Sequence, residues 1–407
     1  MKGKNLSNDL LVAIDVGTTK ICVLVAQVNA HNELEILAIG KNPSHGLEKG
    51  VIVNVSQAVE SIKEAVCEAE LMIGRQLESA YVGISGSHIQ AFNSQGMVPV
   101  KNGQITINDV SAAIASSKAI ALAPDHKILH VLPQYYVIDS NQKLQDPIGM
   151  HGVRLEVLTH IVTGSVPSIQ NLIKCVESAG LKVNDVVLEP IASALAVLSE
   201  DECKLGVGML DIGGGTSDFA IYQQGSIRHT HVIPIAGNII TNDIALCLRS
   251  TLKSAEHAKR ELQNFMLDES VELEMAQGGQ TFHADVHVLV DIVHSRVSEL
   301  LYILQSEIEK NHLHHLMGAG LVLTGGGSML AGIKDLAQEI LKVPVRIGRP
   351  QIKSMFNETL DNPIFATGYG LLLYALKKQS NFAVDYLTEP LITRIFWRMK
   401  SWVVDFF

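Results

Sequence analysis

Two segments almost two hundred residues apart follow one pattern: LLVAIDVGTTKICVLVAQV (10–28) and VGMLDIGGGTSDFAIYQQG (207–225). Each has an apolar run, then Asp-x-Gly, then small hydroxyl or glycine residues, then a second strand-like run. Both therefore read as strand, tight turn, strand. Glycine admits positive φ and lets a backbone approach a ligand closely. The exposed N–H groups of such a turn form a concave anion site. Thr18, Thr19 and Thr216 add hydroxyl donors and Lys20 a charge. An aspartate at the mouth of each turn, Asp15 or Asp211, can hold Mg²⁺ through its waters. One such turn is an ordinary hairpin. Two at corresponding places in strand-rich segments constrain the chain to a duplicated fold that clamps a phosphate between its halves.

Two further elements point the same way. AGLVLTGGGSMLAGIKDLAQEIL (319–341) has an apolar strand, then Gly325-Gly326-Gly327-Ser328, then a helical pattern. Strand, glycine turn and helix N-terminus form a nucleotide-facing geometry. In VVLEPIASALAVL (186–198) a strand ends at Glu189-Pro190 and a helix follows. A carboxylate there can order an attacking water. It can equally be a first-turn glutamate stabilised by the helix dipole. No segment supplies GxxxxGK[ST], and no GxGxxG stands in a βαβ context, which argues against a P-loop or dinucleotide enzyme.

Length and composition narrow the class. At 407 residues the chain is long for one core. A net charge of −10 argues against nucleic acid as a partner, because phosphate backbones want clustered Lys and Arg. The cysteines Cys22, Cys67, Cys175, Cys203 and Cys247 form no CxxC, so neither a disulfide framework nor a zinc site is indicated. The start has too short an apolar core for a signal peptide, and no apolar run approaches the ~18 residues of a spanning helix. The body is expected in the cytoplasm. KNHLHHLMG (310–318) carries His312, His314 and His315. Three histidines so close in sequence do not converge on one metal, and the expectation is an exposed helix end before a buried strand.

DVGTTK (15–20), LDIGGGTSDFAIY (210–222) and LTGGGSMLAG (323–332) resemble, in order, the two phosphate motifs and the adenosine motif of the actin, sugar kinase and chaperone ATPase superfamily. Four more stretches select the member: GSHIQAFNSQGMVPV (86–100), the segment 128–165, RHTHVIPIAGNIITNDIA (228–245) and VRIGRP (345–350). These closely resemble the FtsA family of bacterial cell-division proteins, over essentially the whole chain.

The resemblance implies an α/β, actin-like duplicated fold: two large domains around a nucleotide cleft, with a subdomain 1C in place of the usual 1B. The expected division is 8–85, 165–195 and the returning helix 361–378 for 1A, and 86–164 for 1C. Residues 196–245 and 318–360 form 2A, and 246–317 form 2B. Within 1C the residues read as two strand patterns, a helix capped by Thr106 or Asn108, and two more strands. Subdomain 2B reads as helix-rich. By the same resemblance ATP binds with Mg²⁺ between the halves. Asp15, Gly17, Thr18, Thr19 and Lys20 hold phosphate from one side. Asp211, Gly213, Gly214, Gly215 and Thr216 hold it from the other, and Gly325, Gly326 and Gly327 border the adenosine. Asp211 positions the metal and a water, with Glu189 as base. Glu256 and Lys259 of Ala255-Glu256-His257-Ala258-Lys259 approach the nucleoside; on spacing alone they are a surface helix pair. Arg296 and Glu299 in HSRVSELL (294–301) contact the FtsZ C-terminal peptide; on spacing alone they too are a surface pair.

The end of the chain, RIFWRMKSWVVDFF (394–407), holds both tryptophans. On a helical projection at ~100° per residue, Ile395, Phe396, Met399, Trp402, Val403 and Phe406 fall in one sector with other apolar residues. Arg394, Arg398 and Lys400 lie outside it, as does Trp397. Such a helix suits the headgroup plane of an anionic membrane, or else docks on the protein's own surface. A linker over 379–390 precedes the helix over 391–407. The implied function is an ATP-binding scaffold that polymerises at the inner face of the cytoplasmic membrane, at the division septum. It anchors FtsZ there and recruits other division proteins through 1C, with at most slow ATP hydrolysis. The alternatives are a small-molecule kinase, which needs an acceptor site and catalytic Asp that are not evident, or a pilus-assembly relative, for which the amphipathic tail is unexpected.

Overall fold

The computed structural model describes residues 10–262, 269–352 and 357–388. The expected membrane helix, with Arg394, Ile395, Phe396, Met399, Trp402 and the residues after them, lies outside the described residues.

The two motif hairpins each seed a five-stranded sheet, and the two sheets share one topology. In the first, strands run in the order Lys182–Leu188, Ser79–Ile84, Leu11–Val16, Lys20–Val28, Leu34–Pro43. In the second, Val345–Ile347, Leu321–Thr324, Val207–Ile212, Ser217–Gln223 and Ser226–Ile233 occupy the same places. In both, three antiparallel strands form a meander and two parallel strands join its first member. The central strands Leu11–Val16 and Val207–Ile212 are buried along their whole length. That burial explains why they read as continuous rather than alternating apolar runs.

Helix Val55–Ile73 covers one face of the first sheet. Asn54 caps its start through the Gln57 amide, and Gly74 ends it in the left-handed region. Helices Glu189–Val197 and Ala366–Thr388 lie between the two halves, in one core with residues of both central strands. Helix Ala366–Thr388 continues through ten residues that the sequence reading assigned to a linker. QSNFAVDYLT (379–388) contains neither glycine nor proline, and the first breaker is Pro390.

Between Ser79–Ile84 and helix Val166–Ser178 an insertion forms its own antiparallel sheet, ordered Gln90–Pro99, Arg154–Ser165, His126–Ile138, Lys143–Leu144. Helix Ile107–Ser117 packs on it around a separate small core. Thr106 is the cap, in a reciprocal capping box with Asp109. One long strand precedes this helix where two were expected. Residues 90–99 pair without interruption along Arg154–Ser165, so Gly96 marks no turn. The second insertion holds helices Leu252–Glu261 and Val286–Lys310 and, between them, a hairpin of Ser270–Glu274 and Thr281–Asp285. The helix-rich expectation did not include that hairpin.

Candidate nucleotide site

The two motif turns meet at the mouth of a cleft of about 760 Å³ between the halves. Each turn is closed by the same bond. Gly17 N–H donates to Lys20 C=O at 3.1 Å, and Gly213 N–H to Thr216 C=O at 2.9 Å. The turns also touch. A Cβ on Gly214 would lie 2.5 Å from Thr19 Cγ2, and one on Gly215 would lie 2.2 Å from Thr18 Oγ1. Only glycine fits opposite these threonines. Thr18 Oγ1 in turn accepts from Gly50 N–H at 3.0 Å. Asn238 N–H donates to Gly214 C=O and Gly237 N–H to Gly213 C=O, so the second turn rests on helix Gly237–Leu248.

Besides Glu256 and Glu261, four carboxylates line the cleft: Asp15, Glu189, Asp211 and Asp218. Burial raises each of these four. Asp15 rises to about 6, lowered in part by Lys20 and raised further by Asp211. Asp218 rises to about 7 by burial, against the Ser85 hydrogen bond. Glu189, half-buried, is pushed well above the ordinary range by burial and then by Asp15, Asp218 and Asp211. Asp211 is raised by burial, partly offset by hydrogen bonds from Ser193 and Thr367. Its Oδ2 accepts both hydroxyls, Ser193 at 2.5 Å and Thr367 at 3.2 Å. Asp218 accepts from Ser85 at 2.5 Å and Thr216 at 3.3 Å. Ser85, Ser193, Asp218 and Thr367 were absent from the sequence reading. Asp218 stands two residues beyond Thr216 in the motif, a signal that could have found it.

Crowded, desolvated carboxylates are relieved by a cation. The donors are hard oxygens, the chemistry of Mg²⁺. Among the described residues no three such groups converge as a direct ligand cage. Lys20 points its ammonium at Ile364 C=O, 2.8 Å away, and over the Phe365 ring.

Gly325, Gly326 and Gly327 line the same cleft. Gly325 has φ +77, and a Cβ there would lie 2.2 Å from Asp211 Oδ1. The expected direct step from glycine turn to helix is not what forms. A 3₁₀ turn, Gly326–Met329, intervenes, and the helix starts only at Ile333, after Gly332 with φ +74. Glu256 and Lys259 both line the cleft, and Lys259 is buried rather than on the surface. Its ammonium donates to Glu256 (2.6 Å), Thr241 Oγ1 (2.8 Å) and Gly237 C=O (3.0 Å). That ties helix Leu252–Glu261 to helix Gly237–Leu248, on which the second motif turn rests.

Arg296 and Glu299 lie away from the cleft on helix Val286–Lys310 and pair with each other. Arg296 also makes two bonds to Asp243, 2.6 and 3.0 Å, a partner that spacing did not reveal. His312 and the turn His314–Leu316 follow the end of that helix, before the buried strand Leu321–Thr324. Among the described residues no helix is long and apolar enough to cross a membrane.

Residues 208–370 match the family model for cell division protein FtsA, and residues 86–163 match that for the SHS2 domain inserted in FtsA. The chain is 40% identical to the cell division protein FtsA of Pseudomonas aeruginosa, over 98% of each chain. It is 34% identical to that of Escherichia coli K12, over 98% of this chain and 99% of the other. Among solved structures, a chain of the PilM-PilN type IV pilus biogenesis complex matches with TM-score 0.67 at 18% identity, over 90% of this chain and 98% of that one. MreB5 of Spiroplasma citri bound to ADP matches with TM-score 0.55 at 16% identity, over 92% and 98%. The fold is mixed α/β and actin-like, with the inserted SHS2 domain.

Proposed function

The chain belongs to the FtsA family of cell division proteins, and on that premise we propose that it is an ATP-dependent membrane scaffold for FtsZ. ATP binds with Mg²⁺ between the two motif turns. Gly17, Thr18, Thr19 and Lys20 meet its phosphates from one half, and Gly213, Gly214, Gly215 and Thr216 from the other. Asp15 and Asp211 hold the metal through its waters; when bound, it neutralises phosphate charge. Glu189 orders and deprotonates the attacking water in a slow hydrolysis that regulates assembly. Glu256, Lys259 and the glycines 325–327 border the nucleoside. The chain polymerises on the inner face of the cytoplasmic membrane, held there by its C-terminal amphipathic helix. Arg296 and Glu299 take the FtsZ tail peptide, and the inserted domain receives other division proteins.

The observation that best supports the nucleotide reading is the direct opposition of the two turns beside the buried carboxylates Asp15, Asp211 and Asp218. Isothermal titration with Mg-ATP tests it. Asp211→Ala should weaken binding by about tenfold or more, about 1.4 kcal/mol. Equal affinity would reject the site. The anchor is tested by co-sedimentation with anionic liposomes. The full chain should pellet, and a chain ending at Glu389 should stay in solution.

A further inference from the structure

Glu189 faces two spaces: the nucleotide cleft, and a far smaller cavity of about 10 Å³ behind it. Apart from Glu189, the polar side chains on the wall of the small cavity are Ser85, Ser168 and His88. A space of that size holds about one water when two to four polar groups face it.

Both ring nitrogens of His88 are buried and have no partner among the described residues. One unsatisfied buried polar atom costs about 1–3 kcal/mol, so two on one ring call for a partner such as water. Burial, and then the neighbouring His126, hold this imidazole below its ordinary range. The ring is therefore neutral, with one nitrogen free to accept and the other carrying a proton. Glu189 is displaced in the opposite sense, chiefly by burial. A carboxyl group and a neutral imidazole thus share the wall of one water-sized cavity.

The line continues outward. His126 Nε2 is also buried and without a partner among the described residues. Its Nδ1 lies 3.1 Å from the carboxylate of Asp125, which is exposed. These groups gather where the inserted domain joins the first half. His88 stands near the start of the insertion, His126 opens strand His126–Ile138, and Ser168 lies in the first turn of helix Val166–Ser178.

We propose that a water in this cavity joins Glu189 to His88, that a second water joins the unpartnered nitrogens of His88 and His126, and that this line passes protons between the cleft and Asp125 at the surface. The inference rests on the reading of Glu189 as the base for hydrolysis. The oxygen of the attacking water bonds to the γ-phosphorus as the bond from phosphorus to the β–γ bridging oxygen breaks, and Glu189 takes that water's proton. Glu189 hands that proton to the cavity water, which gives one of its own to His88. His88 releases its other N–H proton through the second water to His126 Nε2, and His126 gives its Nδ1 proton toward Asp125; each ring is then neutral in its other tautomer and resets by turning over. The products are the nucleoside diphosphate, inorganic phosphate and a proton delivered to solvent. His88 and His126 touch no reacting atom and act through Glu189.

The test is single-turnover phosphate release from Mg-ATP by the full chain, beside its ATP affinity. His88→Ala should leave affinity unchanged and slow release about tenfold, the low end for an assisted proton transfer. Added imidazole should restore much of the rate. His88→Gln, which fills the space without relaying a proton, should be equally slow and insensitive to imidazole. Wild-type rates in both variants overturn the relay, as does a slow His88→Ala that imidazole does not rescue. A wild-type rate in Glu189→Gln carries a different signature: it removes the base reading itself. A wild-type chain that releases no phosphate overturns both.

Discussion

A Cβ on Gly215 would lie 2.2 Å from Thr18 Oγ1 and 2.8 Å from Thr18 Cβ, so the two motif turns interlock with no space for a methyl group. Gly215→Ala should force the turns apart. Overpacking of this kind costs about 1–3 kcal/mol. The cost falls on closing the cleft rather than on folding either half. Mg-ATP affinity should fall about tenfold or more, and small-angle scattering should show a more open molecule. Gly74→Ala serves as the control. That glycine also has positive φ, but nothing lies within 4 Å of its added Cβ. It should lower stability by about 1 kcal/mol and leave ATP affinity unchanged.

The carboxylates of the cleft give the ATP-free protein a characteristic pH response. Asp218 ionises at about 7 in the folded chain, chiefly because it is buried. In the unfolded chain an aspartate ionises near ~4. Between these values the folded state holds a proton that the unfolded state has lost, so the Asp218 contribution to stability falls as pH rises. His130 and His160 oppose it at low pH. Burial drops them to about 4 and about 3, so their contribution falls as pH drops below the ordinary histidine value. A difference between two proteins isolates Asp218. Asp218→Asn should melt above wild type at about pH 8, by a margin on the order of 1–3 kcal/mol, and the margin should shrink toward about pH 5. A margin that grows on acidification would mean that Asp218 is ionised in the fold.

Both motif turns, the strands around them and the duplicated topology were legible because they are local. Apolar runs, glycine and aspartate act within a dozen residues. The partners of the site carboxylates were not. Ser85 reaches Asp218 across 133 positions, and Thr367 reaches Asp211 across 156. Neither serine nor threonine carries a signal at its own position. The burial of Lys259 was hidden for the same reason: its helix looks like a charged surface helix until Gly237 and Thr241 are brought to it. Helix Ala366–Thr388 runs into the segment read as a linker because nothing in 379–388 interrupts helical hydrogen bonding.

Arg296 is held by Asp243 as well as by Glu299, and these bonds raise its already high pKa. A ligand carboxylate must therefore compete with Asp243 for a guanidinium that is already positioned. Arg296→Glu should abolish binding of an FtsZ tail peptide measured by fluorescence anisotropy. Asp243→Ala should strengthen binding of an acidic peptide several-fold, because one competitor is gone. The pair is partly exposed, so neither change should move stability by more than about 1 kcal/mol. Peptide affinity equal to wild type in Arg296→Glu would remove this residue from the interface.

The two tryptophans divide the membrane reading into a sharper question. On the helical projection Trp402 lies near the centre of the apolar sector, and Trp397 lies among the basic residues. A ring at the centre of the sector is buried at the boundary between headgroups and acyl chains, where a carboxylate is strongly disfavoured. Trp402→Glu should therefore release the protein from anionic liposomes. In the proposed helix Trp397→Glu would face the headgroups, and it should weaken pelleting only in part, through repulsion of the lipid charge, an effect that added salt reduces. Circular dichroism of the two proteins with liposomes separates loss of the helix from loss of attachment. If Trp397→Glu detaches the chain and Trp402→Glu does not, the helix is rotated from this register or docks on the protein itself.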